Sequence, residues 1–160
     1  MFVRAKTIKG NKYAYLVENS WVDGKVKQVS KKYLGRIYDY GTVSSLSLDF
    51  SSTPSKQDAL FFTLQEFFKA AGFVLQKNLL VKEDISLSLS SGKISKKNKQ
   101  VVLLLNQRYI YSSLLSSFLQ FNEPDDARPG QRLAQKISDL GIPLDPTSFI
   151  QLYKIVYNKV

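Results

Sequence analysis

The chain contains no cysteine and no histidine. Those two absences remove disulfides, thiolate chemistry, zinc sites built from Cys and His, and the usual general base near neutral pH. A chain without cysteine is compatible with a reducing interior. Carboxylates are also scarce, 13 against 23 lysines and arginines, so the formal net charge is +10. No apolar run approaches the roughly 20 residues that a membrane-spanning helix needs; VVLLL at 101–105 is far shorter. The opening MFVRAKTIKG is charged throughout and lacks the apolar core of a secretory leader. These features lead us to expect a cytoplasmic protein that makes no use of a membrane. With no histidine, cysteine or convincing carboxylate pair, neither catalytic residues, metal ligands nor a cofactor are expected.

What is present is a globular composition, 44% hydrophobic over 160 residues. That length suits one domain, or a small module joined to a moderate one. The positive charge is unevenly spread. Residues 1–38 hold nine basic side chains against Glu18 and Asp23, a net of +7, whereas residues 39–160 have a net of only +3. Attraction for a polyanion is therefore concentrated in the first quarter of the chain.

This first quarter alternates as half-buried strands do, over about Phe2–Ile8, Tyr13–Trp21 and Lys25–Leu34. Gly10-Asn11 and Asp23-Gly24 separate the runs and suit tight hairpin turns. Two-residue turns at those pairs set Lys9 opposite Lys12, Lys6 opposite Tyr15 and Arg4 opposite Val17. In the second hairpin they set Trp21 opposite Val26, Asn19 opposite Gln28 and Tyr15 opposite Lys32. Because cross-strand partners share a face, one face should gather Val3, Ala5, Ala14, Leu16 and Val29 for a core. The other should gather Arg4, Lys6, Tyr13, Tyr15, Gln28, Ser30 and Lys32, with Arg36 following. Flat rings set among cations and hydrogen-bonding groups suit phosphates, with bases or sugars packed beside them. Exposed lysine on a sheet also guards an edge against pairing, and tyrosine is a good strand former, so a merely solvated face is the competing reading.

Beyond the Tyr33-Leu34-Gly35-Arg36 close, residues 41–54 read as a serine-rich connector with a short strand at 46–50. Ser55 and Asp58 resemble a capping box, and Leu60, Phe61, Leu64, Phe67, Phe68 and Ala71 form an apolar helical stripe ended by Gly72. Short strands are expected at Phe73–Gln76, Leu79–Lys82 and around Ile85–Leu89. Lys93, Lys96, Lys97 and Lys99 form a second basic cluster, read as a solvated loop or a secondary phosphate contact. Val101–Leu105 has the uniform apolarity of a central strand. Asn106-Gln107 is a turn, and RYIY at 108–111 reads equally as a strand or a helix start. Three helices follow: one carrying Leu114–Phe121, one opening at Pro129 and one capped by Asp145-Pro146. The carboxylates Glu123, Asp125 and Asp126 lack a glycine-bearing calcium loop and read as an ordinary acidic loop. The connection through Gly141, Pro143 and Pro146 suits a helical hairpin rather than a helix-turn-helix.

The pattern FVR-K-IKG-KYAYLVEN-W-DGKVKQ-KKYLGR resembles the opening segment of DDE-class insertion-sequence transposases and of uncharacterised archaeal proteins that begin alike. The likeness covers about 36 residues and is most specific at Tyr13-Ala14-Tyr15-Leu16-Val17-Glu18 and Lys32-Tyr33-Leu34-Gly35-Arg36. In the transposases this segment precedes the catalytic domain, which implies a nucleic-acid-binding part. No ribonuclease-H-like domain with spaced carboxylates follows here, so the resemblance transfers binding and not strand transfer.

The sequence therefore predicts an α+β protein. A basic three-stranded antiparallel module (1–40) and a connector (41–54) lead into a mixed body (55–160) of about four helices and a small β-sheet. Its expected partner is nucleic acid, either DNA or structured RNA, ribosomal RNA included. The alternative is an assembly module that docks an acidic protein, or a homodimer formed through the C-terminal helices.

Overall fold

The computed structural model describes residues 1–159. Three long strands open it, β1 (Phe2–Ile8), β2 (Asn11–Val22) and β3 (Lys25–Asp39), paired antiparallel in chain order. The first turn is Lys9-Gly10, with φ of 49° and 82°, rather than Gly10-Asn11. A turn of this hand takes glycine at its second central position. Lys9-Gly10 meets that requirement, as Asp23-Gly24 does in the next hairpin. The pairing consequently slides by two residues, placing Arg4 opposite Tyr15 and Lys6 opposite Tyr13. A slide of two leaves every side chain on its expected face.

The second hairpin starts in the expected register, Trp21 opposite Val26 and Asn19 opposite Gln28. Then β3 takes up extra residues at Lys31 and Leu34, so that Leu16 faces Lys32, Tyr15 faces Tyr33 and Tyr13 faces Arg36. Each bulge inverts the alternation and two restore it. Between them Lys32 passes to the Leu16 face, and Tyr33 passes to the face of Tyr13 and Tyr15. That corrects the expected opposition of Lys32 and Tyr15.

The third strand does not end at Leu34, as the alternation predicts. Strand β3 runs on to Asp39 and pairs in parallel with β8 (Lys99–Leu105), Arg36 beside Val101 and Asp39 beside Leu104. A parallel neighbour needs a crossover. Here it consists of helix α1 (Lys56–Ala70) and the meander β4 (Val74–Gln76), β5 (Leu79–Lys82), β6 (Ile85–Ser88) and β7 (Ile94–Lys96). The other side of β8 is shared by β7 at its start and β9 (Arg108–Ile110) at its end. The N-terminal strands and the expected small sheet are thus one nine-stranded system, ordered β1-β2-β3-β8-β7-β6-β5-β4 with β9 also on β8. Arg108–Ile110 supply strand β9, and Tyr111 directly after it is the N-cap of the next helix.

The uniform apolarity of β8 has a direct cause. Val101, Leu103 and Leu105 join the large core, while Val102 joins a smaller core with Ala14, Leu34 and Ile37. Val3, Ala5, Leu16, Leu104, Tyr109 and Tyr111 pack against the smaller core. Val29, counted toward this side, is 39% exposed, because the β2–β3 hairpin extends past the body that would cover it.

Helix α1 is capped by the Ser55 hydroxyl, which accepts from Asp58 N–H at 3.1 Å, and buries Leu60, Leu64, Phe67 and Phe68. It packs against α2 (Ser112–Leu119) and α4 (Pro146–Val156). Helix α3 (Gln131–Asp139) begins after Gly130, two residues later than Pro129 suggests. The connector is anchored by buried Val43 and Phe50. Its expected strand at 46–50 is reduced to a single bridge from Leu46 to Leu144, and Leu48 N–H donates to the Ser148 hydroxyl at 2.8 Å. In the acidic loop Asp125 accepts from Tyr153 O–H and Gly130 N–H, while Asp126 pairs with Arg132 at 3.0 Å. Among the described residues, no helix is long and apolar enough to cross a membrane.

Candidate nucleic-acid interface

One face of β1–β3 packs on the smaller core. The opposite face carries Arg4, Lys6, Tyr13, Tyr15, Gln28, Ser30, Tyr33 and Arg36, as the pairings dictate. The side chains there hold one another. The Arg4 guanidinium donates to Gln28 Oε1, and Arg36 donates to Asn11 Oδ1 at 2.8 Å. Lys6 Nζ lies 4.6 Å from the centre of the Tyr15 ring. The Tyr33 ring sits 5.2 Å from Tyr15 and 6.5 Å from Tyr13, centre to centre. Three phenols from two strands thus make an aromatic patch, and Tyr33 keeps 53% of its surface exposed.

The second basic cluster meets this patch. Strands β7 and β8 are joined by the two-residue turn Lys97-Asn98, with φ of 49° and 64°, which sets Lys96 opposite Lys99. That turn stands beside β3, and a cleft of about 640 Å³ opens between them. Its walls are Tyr13, Tyr33, Arg36 and Tyr38 on one side and Lys96, Lys97, Lys99 and Gln100 on the other, with Leu34 and Val101 completing the lining. Tyr38 lies where the walls join: Lys96 Nζ is 4.5 Å and Arg36 Cζ 5.2 Å from its ring centre.

Gly35 makes the close approach possible. Its φ is +133°, and a Cβ there would lie 2.5 Å from the carbonyl oxygen of Gln100 and 2.9 Å from Val101 Cα. Only a residue without a side chain lets β3 lie this near the start of β8. The β7–β8 turn is thereby held against the tyrosines.

The electrostatics of the site are one-sided. Among the described residues, Arg4, Lys6, Arg36, Lys96, Lys97 and Lys99 have no carboxylate within 4.0 Å. Acidic partners are spent elsewhere, on Lys31, Lys69, Arg132, Lys136 and Lys159. Burial, and after it the neighbouring phenols of Tyr15, Tyr13 and Tyr38, push Tyr33 above its ordinary value of 10.0. Tyr40, which is outside the cleft lining and packs on Phe73, is pushed up to about 12, chiefly by burial and then by Glu83 and Tyr38. The Tyr33 phenol accordingly stays neutral at physiological pH and does not offset the positive charge.

Of the residues singled out from sequence, Arg4, Lys6, Tyr13, Tyr15, Gln28, Ser30 and Arg36 share the face, although Ser30 lies out along the hairpin. Lys32 is on the opposite face. Lys96, Lys97 and Lys99 line the cleft, whereas Lys93 precedes the other end of β7 and is not part of its lining. Tyr33, Tyr38 and Gln100 were not singled out. Unbroken alternation sends Tyr33 to the core face, and only the bulge at Lys31 reverses it. Tyr38 is adjacent to the recognisable KYLGR segment, but its role depends on Lys96, 58 positions away in the chain.

No family model matches this chain, and neither the curated proteins nor the solved structures include one significantly similar to it.

Proposed function

We propose that this protein binds nucleic acid through the aromatic-cationic face of β1–β3 and the adjoining cleft, acting by binding rather than by catalysis. The observation that carries the reading is the meeting of Arg36 with Lys96, Lys97 and Lys99, far apart in sequence, on one tyrosine-lined cleft where, among the described residues, no carboxylate pairs with them. Unpaired cations repel one another and are stabilised by an incoming polyanion, whose release of counterions drives association. Ammonium groups and the guanidinium take phosphates, while phenol rings between them take sugars and bases. The lining offers phenols, ammoniums, a guanidinium and an amide, groups suited to holding an anion. The likeness of residues 1–36 to the opening segment of DDE-class transposases implies the same role.

Salt titration of binding tests the reading. With roughly four phosphate contacts, log K should fall with log salt at a slope of about −3 to −4. Replacing Lys96, Lys97 and Lys99 together by glutamine should make that slope shallower by about 2 to 3. A flat salt dependence in the unmodified protein, or an unchanged slope in the triple variant, would remove this cleft from nucleic-acid binding.

A further inference from the structure

We infer that the cleft receives an unpaired nucleotide, so that the ligand is a single strand and not a duplex; this rests on the nucleic-acid reading above. In a duplex each base is stacked on both faces, and a protein meets only base edges and the sugar-phosphate backbone. The groups gathered here are suited to the opposite situation. Tyr33 offers a half-exposed ring with Tyr15 at 5.2 Å and Tyr13 at 6.5 Å behind it, a platform for the face of a base. Rings that stack on bases are the mark of single-strand binders, because every unpaired base exposes a π-face.

The cations are arranged around that platform. Lys96 and Lys99 stand opposite each other across the two-residue turn Lys97-Asn98, and Arg36 lies on the facing wall. A backbone following this edge would carry its phosphates along the turn while its base turned inward onto Tyr33. The cleft volume of about 640 Å³ lies within the range that holds a small organic ligand, roughly 300–1,000 Å³. A base still paired in a duplex is stacked on both faces and cannot lay either of them on Tyr33 without first being released. Among the lining residues only Gln100 presents an uncharged amide for reading a base edge. Little sequence preference is therefore expected from this cleft.

Fluorescence anisotropy on the full chain tests the inference with four labelled probes of about 12 nucleotides, inside the usual span of one single-strand site. They are oligo-dT, oligo-rU, the dA·dT duplex and a dT strand whose bases are replaced throughout by abasic units. The single strands should bind at least about tenfold more tightly than the duplex, and the abasic strand should fall toward the duplex value. Comparison of oligo-dT with oligo-rU reports whether DNA or RNA is the better source of that strand. Tyr33→Ala should weaken single-strand binding by roughly fivefold to a hundredfold, while Tyr33→Phe, which keeps the ring, should restore most of it. Equal, salt-dependent affinity for single strand, duplex and abasic strand would overturn the inference and leave the nucleic-acid reading standing. Absence of salt-dependent binding to any probe would overturn both.

Discussion

Replacing Gly35 with alanine isolates the contact that builds the cleft, and Gly10→Ala supplies its control. Both glycines have positive φ, +133° and +82°. A Cβ on Gly10 would meet nothing within 4 Å, whereas one on Gly35 would lie 2.5 Å from the Gln100 carbonyl oxygen. Gly10→Ala therefore pays only for the left-handed backbone, about 1–2 kcal/mol. The smaller entropy of its unfolded chain offsets about 0.4–1 kcal/mol of that. Gly35→Ala adds backbone strain of about 1–3 kcal/mol to a steric conflict of about 1–3 kcal/mol. The obstructing atoms are backbone, which cannot swing aside as the end of a flexible side chain can. After the same offset the net loss should be roughly 1–6 kcal/mol, centred near 3. Urea unfolding should be followed by circular dichroism, since the single tryptophan, Trp21, is 75% exposed and reports little on packing. If Gly35→Ala and Gly10→Ala fall within about 0.5 kcal/mol of each other, the approach of β3 to β8 is not what Gly35 provides, and this account of the cleft fails.

Two further outcomes follow from the geometry. Lys32→Gln, on the face away from the tyrosines, should change affinity for a single strand by about twofold or less, because a surface charge remote from the ligand is screened. Lys96→Gln, beside Tyr38, should weaken it clearly more, and anisotropy on both variants reverses the bulge assignment if Lys32 matters more. The third outcome concerns acid. Hydrogen bonds from Tyr153 O–H and then Gly130 N–H, assisted by Lys159, hold Asp125 below its ordinary value of 3.8. A carboxyl lowered in the folded state stabilises above its unfolded value, and that contribution is lost as pH falls through the folded one. Asp125→Asn should therefore melt earlier than the unmodified protein at pH 7, with the gap closing below about pH 4. A gap that is constant with pH would show that the charge of Asp125 contributes nothing.

Local chemistry settled much of this architecture. The Ser55 cap, the Asp145-Pro146 start, the Gly72 stop and the strand Leu79–Lys82 all depend on neighbours within a few residues, and each is found where the sequence places it. The sorting of Arg4, Lys6, Tyr13 and Tyr15 onto one face is likewise local, and the displaced first turn leaves it unchanged. Side-chain alternation has a period of two, and the displacement was two. The exposed cations and the concentration of charge in residues 1–38 were equally legible, since they need no partner.

Tertiary structure alone decided three things. The bulges at Lys31 and Leu34 sent Lys32 away from the face and brought Tyr33 onto it, because Leu34 is drawn into the small core with Ile37 and Val102. The parallel pairing of β3 with β8 joined residues more than 60 positions apart, and no local pattern specifies a partner across such a crossover. That pairing in turn placed Lys96, Lys97 and Lys99, which the sequence offered only as a separate basic cluster, against Tyr33 and Tyr38. The ingredients of the site were written locally, but their meeting was decided by burial: beside β3, Val102 of β8 is enclosed with Leu34, Ile37 and Ala14, while Val101, Leu103 and Leu105 enter the large core.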